Sequence, residues 1–298
     1  MNIVLPESPL QKITHPLLSH HNISLTVKRD DLLHPIISGN KWRKLKYNLI
    51  HAQQNKINHL ISFGGPFSNH IHALAAAGRI FGFKTSAYIR GPELDNQNPT
   101  LRFAKSCDMR LIAVDRITYR QKDDLGYLAS LSAKHPNCLI IPEGGTNSAA
   151  ILGVIELAQT LHQADVLVTP VGSAGTLAGL IEGAHTEQKI IGIAVLKQAE
   201  YLIEKMNQLS PKSNQYNNWQ LMTQFHGGGY GKFNRELWHF CQSMQAYHLP
   251  LEPIYSGKMF FALFELIKQG YFQSGTKISA IHTGGLQGIA GLKYCGRI

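Results

Sequence analysis

The sequence predicts an α/β protein built on parallel sheets, and three observations carry that prediction. Short apolar runs alternate with helical segments along most of the 298 residues. Three strand-like runs end in paired glycines, Gly64–Gly65, Gly144–Gly145 and Gly284–Gly285. Hydrophobic residues make up 44% and charged residues 16%, which is enough apolar material for a substantial core. The length suits one large or two modest domains.

The elements follow in chain order. The opening MNIVLPESPLQKITHPL has no basic stretch followed by an apolar one, so no secretory leader is expected. A helix is predicted from Lys41, capped by Asn40, with Trp42, Leu45 and Leu49 as its buried stripe. Residues 59–65 read as a strand, 68–82 as a helix capped by Ser68, and 84–91 as the next strand. Residues 138–145 read as strand then turn, followed by a helix over 147–163. A strand and glycine turn over 164–176 lead into a helix over 177–185. Residues 189–196 and 277–285 complete the strand set. Residues 205–232 are polar and glycine-rich and read as an irregular loop suited to closing over a ligand.

Composition excludes some classes. No apolar run reaches the roughly 18–20 residues of a membrane span. Cys107, Cys138, Cys241 and Cys295 form no C-x-x-C pair, which points to reduced thiols and a cytoplasmic protein. The net charge of +10 attracts anions and keeps a basic anion- or nucleic-acid-binding protein as the non-enzyme alternative. The basic cluster at 41–46 is short and lacks stacking aromatics between its charges, so no nucleic acid partner is expected. His70 and His72 have no suitably spaced third ligand, so no metal is expected.

Three segments have the residue types for chemistry. In TPVGSAGTLAGL, a strand runs into Gly172, Ser173, Ala174, Gly175 and Thr176 and then a helix, an arrangement that presents N–H groups and hydroxyls to a phosphate. An ordinary tight turn reads the same way. At Ser68, Asn69 and His70, a helix start offers N–H groups to a carboxylate, or Ser68 simply caps its own helix. In SGNKWRKL, a lysine at a helix start beside other cations is expected to have a lowered pKa, and a neutral amine is what imine chemistry needs.

Together, the segments VKRDDLLHPIISGNKWRKLKY, FGGPFSNHIHALAAAGRIFG, IPEGGTNSAAILG, TPVGSAGTLAGL, GGGYGK, EPIYSGK and IHTGG resemble one family. It is the pyridoxal-phosphate enzymes grouped as 1-aminocyclopropane-1-carboxylate deaminase and D-cysteine desulfhydrase, of the tryptophan-synthase-β-like fold (fold type II). The resemblance runs in family order from about residue 27 to 288. It implies two open twisted α/β domains with pyridoxal 5′-phosphate in the cleft between them. Residues 1–43 and 153–298 would form the large domain and 44–152 a small mobile one. It also implies a homodimer acting on a small amino acid.

The resemblance gives roles to residues. Lys41 matches the lysine bonded to the cofactor, Lys44 a phosphate contact and Asn69 the partner of the ring oxygen. Gly172–Thr176 matches the phosphate loop. Ser68, Tyr230 and Tyr255 match catalytic hydroxyls, and Ser68, Asn69 and His70 would receive the substrate carboxylate. Ser256 and Thr283 would face the pyridine ring. The deaminase branch has Glu after the second tyrosine, where this chain has Ser256. A hydroxyl there permits a neutral ring nitrogen, so the departure leans toward β-elimination as in D-cysteine desulfhydrase, with ring-opening deamination as the alternative. Ser38 departs from the glycine found in many members.

Overall fold

The computed structural model describes residues 3, 7–37 and 39–298, so Ser38 lies outside the described residues. The strands are β1 (Leu10–Ile13), β2 (Ser24–Lys28), β3 (His59–Gly64), β4 (Lys84–Arg90), β5 (Arg110–Val114), β6 (Cys138–Ile141), β7 (Val166–Val171), β8 (Lys189–Ala194), β9 (Trp219–Met222) and β10 (Lys277–Ile281). The chain divides into two compact units. One holds Ile3, His34–Ala150 and Gln287–Ile298, and the other Glu7–Leu33 and Ile151–Leu286.

The first unit is built on a four-stranded sheet in the order β5-β4-β3-β6. Every pairing in it is parallel. In β3, Leu60, Ile61, Ser62, Phe63 and Gly64 are all buried, the near-continuous burial of a strand covered on both faces. Phe63, Tyr88, Tyr119 and Leu131 form a core on this sheet. The helix Asn69–Phe81 follows β3. The Ser68 hydroxyl accepts from Ile71 N at 3.3 Å, and Gly82 ends the helix in the left-handed region.

The helix Asn40–Gln54 also belongs to this unit. Trp42, Leu45 and Leu49 are buried as the periodicity predicts, and Trp42 stacks on Phe81 at 5.4 Å. The expected cap is corrected. Asn40 is the first helical residue, and Gly39, at φ +71°, occupies the position before it. A glycine there allows a sharper entry than an asparagine cap would.

The second unit carries a six-stranded sheet in the order β1-β2-β10-β7-β8-β9. Only β1 runs antiparallel, against β2. The helix Ser256–Lys268 buries Met259, Phe260, Leu263, Phe264 and Ile267 in a core with Leu25, Val27, Val168 and Ile193. A second core joins Val154, Leu157, Leu177 and Leu180. The stretch 205–232 is only partly irregular. It contains the end of the helix Tyr201–Leu209, a short turn at Pro211–Asn214 and β9, and residues 223–234 have no helix or strand. Among the described residues, no helix is long and apolar enough to cross a membrane, and the four cysteines are free.

Candidate active site

The first unit brings Lys41, Lys44 and His70 around the turn Glu143–Gly145, which follows β6. Lys41 Nζ donates to the Gly144 carbonyl at 3.4 Å. Lys44 Nζ donates to the same carbonyl at 3.1 Å and to Thr146 Oγ1 at 2.8 Å. Lys44 is fully buried, whereas Lys41 is half-buried. Gly145 has φ +70°, which favours glycine, and a Cβ on it would crowd the His70 ring at 3.1 Å.

Burial pulls the Lys41 pKa down to about 8, against the opposing pull of the Glu143 carboxylate. The sequence argument has the direction right but rests it on the helix start and neighbouring cations, whereas loss of water is the main cause. Glu143 is fixed by the Tyr119 hydroxyl at 2.7 Å and lies 3.7 Å from Lys122 Nζ. Burial and Glu143 push the Tyr119 phenol up, so it stays protonated and donates.

His70 has a defined tautomer. Ser62 Oγ donates to the Ile141 carbonyl at 2.7 Å, so its oxygen accepts from His70 Nε2 at 2.8 Å. That leaves Nδ1 as a buried acceptor with no partner. Burial, then Lys41 and Lys44, hold the His70 pKa well below its usual value, so the ring is neutral. Beside it, Ser68 caps the helix whose first N–H groups, on Asn69 and His70, have no partner within the helix. Among the described residues, no three His, Cys, Asp or Glu side chains cluster as a metal site.

The second unit gathers the other predicted residues. After β7 the chain turns through Gly172–Ser173 into Ala174, at φ +65°, and then the helix Gly175–Gly183. Ala174 and Thr176 are buried. A Cβ on Gly172 would lie 3.1 Å from Tyr255 Cε1, so the tyrosine ring rests on this turn. Tyr230 meets Tyr255 edge-on with ring centres 6.0 Å apart, and its own ring is half exposed. Lys258 Nζ, fully buried, donates to Val195 O at 3.1 Å and Gly229 O at 2.8 Å, tying down the Tyr230 loop. Thr283 is buried at the end of β10. The next turn is held by Gly284 N donating to His282 Nδ1 at 3.1 Å.

Ser256 is engaged by a residue that the sequence reading does not single out. The buried Glu252 carboxylate accepts from Ile254 N (2.6 Å), Tyr255 N (3.0 Å), Ser256 N (2.7 Å) and Ser256 Oγ (3.0 Å). Burial pushes Glu252 up to about 7, opposed by these bonds. Nor does the sequence reading single out Glu143, Tyr119, Ser62 or Lys258. Glu252 alone had a local signal, an acid four residues before a helix start inside EPIYSGK.

Each unit, taken by itself, offers groups of the kind that a pyridoxal phosphate needs. Lys41 offers an amine whose neutral form is within reach near neutral pH, the 172–176 turn offers an anion cradle, and His70 Nδ1 is an orphaned acceptor. The comparisons agree. A family model described as pyridoxal-phosphate dependent enzyme matches residues 6–284. A Pyrococcus abyssi protein provisionally named 1-aminocyclopropane-1-carboxylate deaminase is 30% identical, with 95% of this chain and 90% of that protein covered. A protein of Serratia proteamaculans named D-cysteine desulfhydrase is 26% identical over 96% of this chain and 93% of its own length. A crystal structure of an ACC deaminase homologue superposes with a TM-score of 0.84 at 26% identity, covering 100% of this chain and 96% of that one.

Proposed function

The chain belongs to the pyridoxal-phosphate-dependent enzymes, and from that premise we propose that it is a lyase removing a β-substituent from a small amino acid, as a D-cysteine desulfhydrase does. The observation that carries this reading is Lys41, a half-buried amine with its pKa drawn down to about 8 and held beside Gly144. The bound cofactor supplies a ring that takes up the electrons left when the substrate loses its α-proton. Lys41 would hold the cofactor, and its amine, neutral within reach of ordinary pH, is the base placed to take the substrate's α-proton. Ser68 and the N–H groups of Asn69 and His70 receive the carboxylate. The Gly172–Thr176 turn holds the phosphate, while Lys44, engaged at depth with Gly144 and Thr146, braces the turn on which Lys41 rests. Asn69, Ser256 and Thr283 orient the ring, and Ser68, Tyr230 and Tyr255 are the hydroxyls suited to move protons.

Expulsion of thiolate from a β-carbon demands less of the ring than opening a cyclopropane, and Ser256 in place of a carboxylate favours it. Ring-opening deamination is the second reading, because relatives of this chain are named for it. Release of pyruvate or 2-oxobutyrate from D-cysteine, L-cysteine, β-chloro-D-alanine, D-serine and 1-aminocyclopropane-1-carboxylate tests both. Pyruvate from D-cysteine at the highest kcat/KM is expected, and its absence beside 2-oxobutyrate from the cyclopropane substrate selects the second reading.

Lys41 also sets a pH dependence. Only the neutral amine attacks the cofactor aldehyde, so the rate of cofactor capture by the apoprotein should climb with pH and level off above about 8. Stopped-flow absorbance follows this, and a rate flat between pH 6 and 9 would count against Lys41. The free thiols fit a reducing cytoplasm, and a homodimer, expected from the family resemblance, is open to sedimentation analysis.

A further inference from the structure

His282 directly follows β10 and is fully buried. Both of its ring nitrogens are engaged, and the partners fix which one carries the proton. The Pro250 carbonyl, 2.7 Å from Nε2, has only lone pairs to offer, so Nε2 donates. The Gly284 N–H, 3.1 Å from Nδ1, has only a proton to offer, so Nδ1 accepts. The ring is therefore neutral, with its proton on Nε2. Burial lowers its pKa in agreement, against the pull of Asp31 and with that of Arg29. Asp31 Oδ1 stands 3.7 Å from Nδ1 and already accepts from Arg29 Nε at 2.8 Å, so it does not claim that nitrogen.

The two bonds join segments that differ in stiffness. Behind the ring, His282 N donates to the Lys28 carbonyl at the end of β2 at 3.0 Å, so its backbone is anchored on the sheet. Arg29 grips Asp31 through two bonds and donates to the His248 carbonyl at 2.9 Å, which ties down the approach to Pro250. The helix Ser256–Lys268 presents the uncharged Phe260 ring, 6.3 Å away. Ahead of the ring lies the softest backbone in the neighbourhood. Gly284 and Gly285 have φ of +78° and +91°, and glycine pays no steric cost to leave such a conformation for another. The bond from Gly284 N to His282 Nδ1 pins that turn to the rigid side.

We propose that His282 is a positioning residue for the Thr283–Gly285 turn: its unprotonated Nδ1 holds the Gly284 N–H, and so fixes Thr283 where the cofactor ring is to be received. This rests on the placement of Thr283 beside the cofactor under the proposed function. His282 itself touches neither cofactor nor substrate and acts through the backbone of the turn.

Two variants each keep one of the two bonds. His282→Asn carries an acceptor on Cγ, where histidine carries Nδ1, and closes the same turn onto the N–H two residues on, but it gives up the donor to Pro250. His282→Gln reaches Pro250 with an amide N–H and leaves the Gly284 N–H without an acceptor. Asparagine, the smaller side chain, leaves the larger void, so its apoprotein should melt no higher than that of His282→Gln. Cofactor retention should rank the other way. The Gly284 amide, followed by hydrogen exchange and peptide mass spectrometry in the full-length apoprotein, should stay protected in wild type and His282→Asn. In His282→Gln it should exchange about tenfold faster, and the Kd for pyridoxal phosphate should rise by about the same factor. Retention that follows Tm, or is lost equally in both variants, overturns the proposal. Nitrogen-15 NMR of labelled histidine in wild type needs no substitution, so it decides even if a variant misfolds, and a proton on Nδ1 at neutral pH overturns the proposal as well. Borohydride reduction followed by peptide mass spectrometry separates the two levels. Cofactor mass on Lys41 with equal loss in both variants sinks this proposal alone, whereas no mass on Lys41 in wild type sinks the parent reading and this one with it.

Discussion

Lys41→Ala is expected to give a colourless protein that keeps no cofactor through dialysis and turns over at least about a thousandfold more slowly, since covalent and base catalysis leave together. The same variant should not lose its fold. The Lys41 pKa falls from 10.5 in the free side chain to about 8 in the folded chain, so folding disfavours the charged form. The unfolded chain therefore binds more protons between those values, and the associated penalty is complete below about 8 and gone above 10.5. That penalty amounts to roughly 3 kcal/mol at most. Removing the amine relieves it, so at pH 7 the cofactor-free variant should melt no lower than the cofactor-free wild type. Absorbance after dialysis, pyruvate release and thermal scans of both apoproteins check the three parts. A dialysed variant that stays yellow would remove Lys41 from its assigned role.

The parts of the fold legible in the sequence are those in which one strand carries its own signal. β3, β7 and β8 are largely apolar runs and β4 has an apolar stretch at Ala87–Ile89, and their ends fall within a few residues of the predicted ones. β9 escaped because its four residues, Trp219–Met222, sit in polar surroundings and become a strand only by pairing with β8, as Ile190 does with Trp219. That is a tertiary effect with no local trace. The helix Ser256–Lys268 escaped because its start is capped by Glu252 acting from four residues upstream, not by a serine or aspartate in the capping position. In the site, Lys41, Ser68 and the 172–176 turn were visible through residue types at helix starts. Glu143, Tyr119 and Ser62 were not, because they come from separate strands and loops and act on Lys41 and His70 only once the sheet is assembled.

Gly257→Ala is expected to have the largest effect on stability that also reaches the site. An added Cβ would lie 2.5 Å from Cys241 Sγ and 2.5 Å from the Glu252 carbonyl oxygen, both far inside van der Waals contact. Neither neighbour is free to yield. Cys241 is part of the core of the second unit, and the Glu252 carbonyl accepts the Gly257 N–H at 2.8 Å. The strain should therefore move the Glu252–Ser256 turn, with a loss of about 3 kcal/mol and a fall in Tm of roughly 6–10 °C. Because the Glu252 carboxylate grips Tyr255 N and Ser256 N, the displacement should weaken cofactor retention as well as folding. Gly257→Ala combined with Cys241→Ala separates the two contacts. Shortening the cysteine relieves only the sulfur clash, so the double variant should recover part of the Tm but not the cofactor affinity, which follows the carbonyl. Full recovery of both would show that the crowding lies at the thiol and that the turn itself tolerates a methyl group.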